Sequence, residues 1–324
     1  MTTNDYSIYD VITKQWLANT FLMGVDLTLD DGSPFPDMAY RLAVETSVKH
    51  IEQDLGINIV PFSVVQEKHD AELQNRFSYW PFRLDYRPLI SLDQIRIRLG
   101  SFQPVTVPNS WGRIVSPMHG QLHLIPSQES ISSYFFQSGM PILGNFNIYY
   151  EAKTYIPGYF EFSYTAGFES RKGEVVIPAG ITDYEVTLDP LVLMKYSITL
   201  TAPTGVTAKA FSYGQSSFRI SLGTARNEPT TISYFLDTLP SNIKHMIGLK
   251  SACNFILQVA GDLILGAGIA SSSIGIDGLS QSIQTTSSAM YSGYSSRIDY
   301  YEKQYETLRA AVKAEYRITS FGAI

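Results

Sequence analysis

The feature that most restricts the fold is a regular apolar seam late in the chain. Tyr291, Tyr294, Ile298, Tyr301, Tyr305, Leu308 and Val312 are spaced 3-4-3-4-3-4, a heptad pattern that predicts one long α-helix over residues 287–316. Four of the seven seam residues are Tyr. A dry core favours Leu and Ile, whereas Tyr supplies an apolar body with a polar tip. Two readings follow and stay open: the seam packs on the chain's other helices, or part of it faces another chain. Both can hold along one helix.

Two further helices are predicted. Residues 26–36 are rich in Asp, Gly, Ser and Pro and read as a loop feeding a helix, with Pro36 early in it and Asp37 at the positive end of its dipole. Leu42, Val44, Val48, Ile51 and Leu55 then recur near helical spacing, and Gly56 stops the run. Arg41, Glu45, Lys49 and Glu52 form its solvated face. A helix after Pro240 carries a wide stripe of Ile243, Ile247, Ala252, Phe255, Ile256, Val259 and Leu263, so it should be heavily buried. The Gly- and Ser-rich stretch 266–286 reads as a loop that packs on something.

Between these helices the pattern shifts to period two. Residues 77–84, 92–99, 120–125 and 159–164 read as strands bounded by Pro and Gly. A second β-rich block, 174–236, contains the strand candidates 183–188, 196–201, 217–222 and 231–236, resembling a small sandwich or curled sheet.

Charge and composition remove several function classes. The formal charge of −6 resides in residues 1–90, which hold 7 basic and 13 acidic side chains. No segment has the basic density of a nucleic-acid clamp. A lone Cys253 rules out an internal disulfide and a multi-cysteine metal site. The first twenty residues lack the pattern of a signal peptide, and the longest apolar-leaning run, 256–270, is interrupted by Gln258, Asp262 and three glycines. The expectation is a soluble, intracellularly made protein with no membrane partner.

No motif for catalysis stands out. His119 and His123 have the spacing of a helical zinc pair, but Pro117 and Gly120 break the helix that pairing needs. Gly266, Gly268 and Ser271 follow a helix, not a strand, so they are no dinucleotide turn. Phosphate-cradling loops and nucleophile elbows are absent. Cys253 sits among Ala252, Phe255 and Ile256 as a buried thiol. The expectation is no enzyme, with no catalytic, cofactor-binding or metal residues.

Several phrases, taken in order, resemble the head–tail connector (adaptor) proteins of tailed bacteriophages. They are DLTLDDGSPFPDMAYRLAVETSVKHIEQDLGI (26–57), EKHD (67–70), RPLISLDQIRI (87–97), WGRIVSPMHGQLHLIP (111–126), IPGYFEFSYTAGFE (156–169) and, the most specific, GDLILGAGIASSSIGIDGLSQSIQTTSSAMYSGYSSRIDYYEKQYETL (261–308). Together they cover most of the chain outside 171–236. In the family the aromatic-Gly phrase leads almost directly into the next helix; here that continuation, LPSNIKHMIGLKSACNFIL, begins only at Leu239. The intervening β block therefore reads as an inserted domain.

The resemblance implies an α+β fold: a helical connector core of three main helices, including the long C-terminal one, with β-rich segments and an inserted small β-sandwich-like domain. The expected division is 1–90 plus 238–324 as the core, 91–170 as a β-rich segment packed with it, and 171–237 as the insert. It further implies a structural virion protein forming a ring, commonly of twelve copies, beneath the portal protein. Such a ring joins capsid to tail or neck and extends the channel through which DNA passes without specific binding. Its other partner is the next neck or tail protein, its place is the neck of the virion, and it is made in the host bacterial cytoplasm. The acidic first ninety residues suit a wall along which DNA slides. The family's portal contact, carried over to this chain, falls on Tyr305, Leu308, Arg309, Val312, Lys313, Tyr316 and Phe321. The alternative is a binding module whose inserted β domain recognises a glycan or another surface protein, with Tyr184, Tyr196, Phe211, Tyr213, Phe218, Tyr234 and Phe235 as candidate stacking residues.

Overall fold

The computed structural model describes residues 7–25, 34, 36–72, 80–98, 104–125, 155–212, 214–262, 271–276, 279–284 and 295–316. The chain divides into a β unit, centred on Ile57–Thr238, and a helical unit, Ser7–Gly56 with Leu239–Ile324. Residues 57–90 thus belong to the β unit.

The β unit begins with β1 (Phe62–Glu72), β2 (Trp80–Arg83), β3 (Leu89–Ile97), β4 (Val105–Val107), β5 (Gly112–Ser116), β6 (Gln121–Leu124) and β7 (Tyr155–Ala166). They form two antiparallel sheets, in the orders β1-β7-β3-β4 and β2-β6-β5. Alternation along β7 sends Phe160, Phe162 and Tyr164 into one core with Phe82, Leu89, Ile95, Trp111, Leu122 and Leu124. Each such aromatic contributes roughly 1.5–3 kcal/mol by leaving water.

The remaining strands are β8 (Ser170–Ile177), β9 (Asp183–Thr187), β10 (Ser197–Thr201), β11 (Ala208–Ser212), β12 (Ser217–Leu222) and β13 (Thr230–Asp237). They pair as β10-β13-β8 and β11-β12-β9 around a second core that includes Ile177, Val192, Phe218, Ile220, Ile232 and Leu236. In β12, Phe218, Ile220 and Leu222 alternate inward with Ser217, Arg219 and Ser221. The two ends of this block lie side by side. Ser170 of β8 pairs with Asp237 of β13. Beyond them the Glu169 amide donates to Thr238 Oγ1 at 2.8 Å and the Thr238 amide to the Glu169 carbonyl at 3.0 Å.

In the helical unit are α1 (Ile8–Val11), α2 (Lys14–Thr20), α3 (Asp37–Leu55), α4 (Ser241–Asp262) and α5 (Ser295–Tyr316), with a hairpin of β14 (Ser271–Ile276) and β15 (Leu279–Gln284). Helix α3 stops because Gly56 takes the left-handed conformation (φ 62°), open to glycine at no steric penalty, and its amide caps the Glu52 carbonyl at 2.9 Å. The buried stripe of α3 is Tyr40, Ala43, Val44, Ser47, Val48, Ile51 and Leu55; Leu42, expected inside, is 52% exposed. Phe21, beyond α2, packs edge-on to Trp16, His245 and Tyr301. It comes so close to α4 that a Cβ on Gly248 would stand 2.3 Å from its ring. Asp54 of α3 takes Arg309 Nη2 of α5 at 2.6 Å and Lys313 Nζ at 3.0 Å.

Two expectations are corrected. An α+β chain built on a helical connector core does not describe the molecule, which is mostly β: among the described residues, thirteen strands in four antiparallel sheets and a further two-stranded hairpin, against five α-helices. Strands β1, β4, β5, β8 and β11 were not legible as such, and β1 shows why. Its register shifts between Val64 and Glu67 and again between His69 and Ala71, so the period-two signal is broken twice within eleven residues. The stretch read as a packed loop, 266–286, contains a hairpin over its described part, 271–276 with 279–284.

Candidate functional site

The most elaborate polar construction of the β unit starts at the first of those bulges. Gln66 has φ 59°, a left-handed conformation uncommon for a side-chain-bearing residue. Its amide donates to Ser163 Oγ at 3.1 Å. The extra residue turns Glu67 to the inner side of the strand, where its side chain is only 8% exposed.

There Glu67 gathers three donors. His69 Nε2 donates to Oε1 at 2.6 Å, the Asp85 amide to the same oxygen at 3.0 Å, and the Tyr164 hydroxyl to Oε2. Burial pushes the Glu67 carboxyl up, but those hydrogen bonds outweigh it and hold the group below its ordinary value. Burial and the Glu67 hydrogen bond push the Tyr164 hydroxyl well above its ordinary range. That hydroxyl also accepts from the Tyr86 amide at 3.1 Å. The His69 ring stands edge-on to Phe82 and Phe162. Asp70, the last residue of EKHD, accepts from the Gly158 amide at 2.7 Å. The phrases 67–70 and 156–169 are thus neighbouring strands whose side chains interlock.

Chemically, the cluster fixes a loop. Residues 84–88 are held by Glu67 and Tyr164 at the Asp85 and Tyr86 amides. The Leu84 amide donates to Gly120, and the Arg87 and Pro88 carbonyls accept from the Asn58 and Gly167 amides. What this loop presents is Tyr86, 44% exposed, its ring edge-on to Phe62 (36% exposed) at 5.1 Å, with Val60 also open. A half-exposed aromatic pair, one ring on a loop anchored by backbone hydrogen bonds and the other on the strand beside it, has the features of an interface anchor: large area, few rotamers and little ordering on contact.

Other buried charges also hold backbone or partner strands. Glu161 in β7 accepts from Arg98 Nε at 2.8 Å and Nη2 at 2.6 Å, with Arg96 3.7 Å from its other oxygen. Arg171 bridges Glu169 and the Pro190 carbonyl. Burial pushes the Glu169 carboxyl up despite that arginine.

The sequence-derived contact residues fall differently. Tyr305, Val312 and Tyr316 are buried in the helical unit, Leu308 and Arg309 are half-buried, and Lys313 is exposed. Arg309 and Lys313 hold Asp54. Phe321, like Tyr291 and Tyr294, lies outside the described residues. Of the stacking candidates, Phe218 is buried, Tyr184, Tyr196 and Tyr234 pack against the insert's core, and Phe211 is 46% exposed; Tyr213 lies outside the described residues. His119 closes a 3-10 turn and His123 lies in β6, so their spacing does not place them on one helix face. Burial pushes the Cys253 thiol up to about 11. Among the described residues no group of three His, Cys, Asp or Glu could hold a metal ion, and no helix is long and apolar enough to cross a membrane.

The sequence did not single out Phe62 or Tyr86. The available signal was a Tyr in the DYRP turn between two strands, where an exposed aromatic on a turn has little structural use. No family model matches this chain, and neither does any curated protein.

Proposed function

We propose that this protein is a structural component of a tailed-phage virion that assembles as a ring beneath the portal, joining the capsid to the neck or tail and extending the DNA channel. The observation that carries the proposal is the exposed Phe62–Tyr86 pair, held in place by the Glu67, His69 and Tyr164 network. Building a rigid aromatic surface is useful to a protein whose task is contact. The order of the connector-like phrases supports the same reading, and two of them, 67–70 and 156–169, are paired along β1 and β7.

Residues 170–237 fit an inserted domain because their ends are paired and they enclose their own core. With Tyr305, Val312 and Tyr316 inside the helical unit, contact with the portal through α5 falls to Leu308, Arg309 and Lys313. Catalysis, a cofactor and a metal have no part in this function. DNA passes without specific binding. A glycan-binding role for the insert would rest on Phe211 and Phe235.

Light scattering after gel filtration, on the protein alone and mixed with portal rings of the same phage, tests the proposal. The expected result is a ring-sized mass increment on the portal. No association in either order of addition overturns it.

A further inference from the structure

The ring proposal leaves the aromatics of the inserted block without a task, and the structure sorts them. Consecutive Tyr234 and Phe235 in β13 point to opposite faces of their sheet. Tyr234 takes the inner face, edge-on to Phe218 at 5.1 Å and so close over Gly173 that a Cβ there would stand 2.5 Å from its ring. Phe235 is left on the outer face of β10-β13-β8, partly exposed in the middle strand. Phe211 lies on the outer face of the other sheet, β11-β12-β9, and is 46% exposed.

The two faces differ in chemistry. Around Phe211 stand charges. Arg219 is directly opposite it and Glu185 is opposite Arg219, with Lys209 and Asp183 in the next row; Arg219 Nε lies 3.1 Å from Asp183 Oδ1. Around Phe235 stand hydroxyls. Thr199 is directly opposite on β10, Ser197 and Thr201 flank it on the same face, and Ser233 is Phe235's outward neighbour along β13. On the other side Lys172 of β8 is opposite the ring, its Nζ 5.9 Å from the centroid, and Glu174 accepts from Ser233 Oγ at 3.3 Å. Ser197, Thr199, Thr201, Thr231, Lys172 and Glu174 are all exposed, so this face is open to solvent across its three strands.

The exposed outward positions of β10 and β13 carry no charge, and Lys172 is matched by Glu174. Such a face has no pull on a phosphate backbone. A protein hot spot draws on Trp, Tyr and Arg, with Ser and Thr under-represented. A sugar ring suits it. The C–H face of a hexose is apolar surface for an aromatic ring, and its hydroxyls exchange hydrogen bonds with side chains that both donate and accept.

We infer that the outer face of β10-β13-β8 binds a neutral saccharide, with Phe235 under a hexose ring and Thr199, Thr201 and Ser233 around its hydroxyls. The inference goes beyond the ring proposal and does not rest on it. In a ring, repetition of a shallow site multiplies a weak affinity.

The test is binding of the full chain to an array of neutral oligosaccharides built from glucose, galactose, mannose and their N-acetylamino derivatives. The result expected is saturable binding, weakened about tenfold or more by Phe235→Ala. Thr199→Val, which keeps the shape and removes the hydroxyl, weakens it about fivefold, and Phe211→Ala leaves it as in the parent. No saturable binding by the parent overturns the inference. Binding that survives both Phe235→Ala and Thr199→Val overturns it too, as does loss of binding in Phe211→Ala with an unchanged unfolding curve. The mass gained by portal rings is unchanged in all three variants, so failure of this inference and failure of the ring proposal are read apart.

Discussion

In the β unit the Tyr164 hydroxyl donates to Glu67 and accepts from the Tyr86 amide. In the helical unit the Tyr305 and Tyr316 hydroxyls are buried with no hydrogen-bond partner among the described residues. Burial, with the nearby Asp54 carboxylate adding to it, pushes the Tyr305 hydroxyl up to about 12. One residue type is therefore used in two ways. In the sheet the polar tip matters, because it fixes a loop that carries an aromatic into solvent. In the helices the ring matters, because it fills the space between α3, α4 and α5. Tyr301 stands between these cases, its hydroxyl donating to the Phe21 carbonyl at 2.8 Å. A Tyr-rich seam is thus no guide by itself to an interface: its tips can be enclosed rather than presented.

The contrast predicts a graded series in urea unfolding. Glu67→Ala has the largest effect, about 3–4 kcal/mol of destabilisation, since Tyr164, His69 and the Asp85 amide all lose their acceptor. Tyr164→Phe follows at about 2 kcal/mol, because a buried carboxylate oxygen and the Tyr86 amide are left without it. Near-neutral behaviour of Tyr164→Phe would erase the distinction between the two units.

Asp54 gives the helical unit a pH signature. The hydrogen bond from Arg309, aided by Lys313, holds its carboxyl down at about 2. A depressed folded value means that its contribution is fully present above the ordinary carboxylate value near 4 and is lost as pH falls from there through about 2. Asp54→Asn should flatten stability over that window while leaving the slope above pH 5 unchanged. Equal acid slopes for the variant and the parent would show that the Asp54–Arg309–Lys313 network contributes nothing.

Tyr301→Phe comes next, with a loss of about 1 kcal/mol for one buried hydrogen bond. Tyr305→Phe is the smallest, within about 0.5 kcal/mol of the parent or slightly stabilising, because the hydroxyl it removes has no partner among the described residues. A loss at Tyr305 as large as at Tyr164 would show that its tip is used.

Local pattern was legible where it was regular. Helix α3 ends at the glycine its sequence points to, and α5 carries Ile298, Tyr301, Tyr305 and Val312 to the inside as their spacing requires. Strand β12 alternates as written. What could not be read were features that depend on distant residues or on broken periods. The Gln66 bulge hid β1, and the role of Glu67 depends on Tyr164, 97 positions away. Leu42 looked like core because its spacing fits, yet the buried stripe includes Ser47, which satisfies itself by donating to the Ala43 carbonyl at 2.6 Å. The balance between helix and sheet is illegible for the same reason: irregular strands leave weaker marks than heptads.

The central claim is that the surface built by the Glu67 and Tyr164 network exists for assembly. Phe62→Ala combined with Tyr86→Ala tests it most directly, because both side chains are partly in solvent and neither donates to the network through its side chain. The measurement is the mass gained by portal rings on mixing with this variant, beside its unfolding curve. The account predicts that the ring-sized increment is lost while unfolding stays close to that of the parent. An undiminished increment would contradict it.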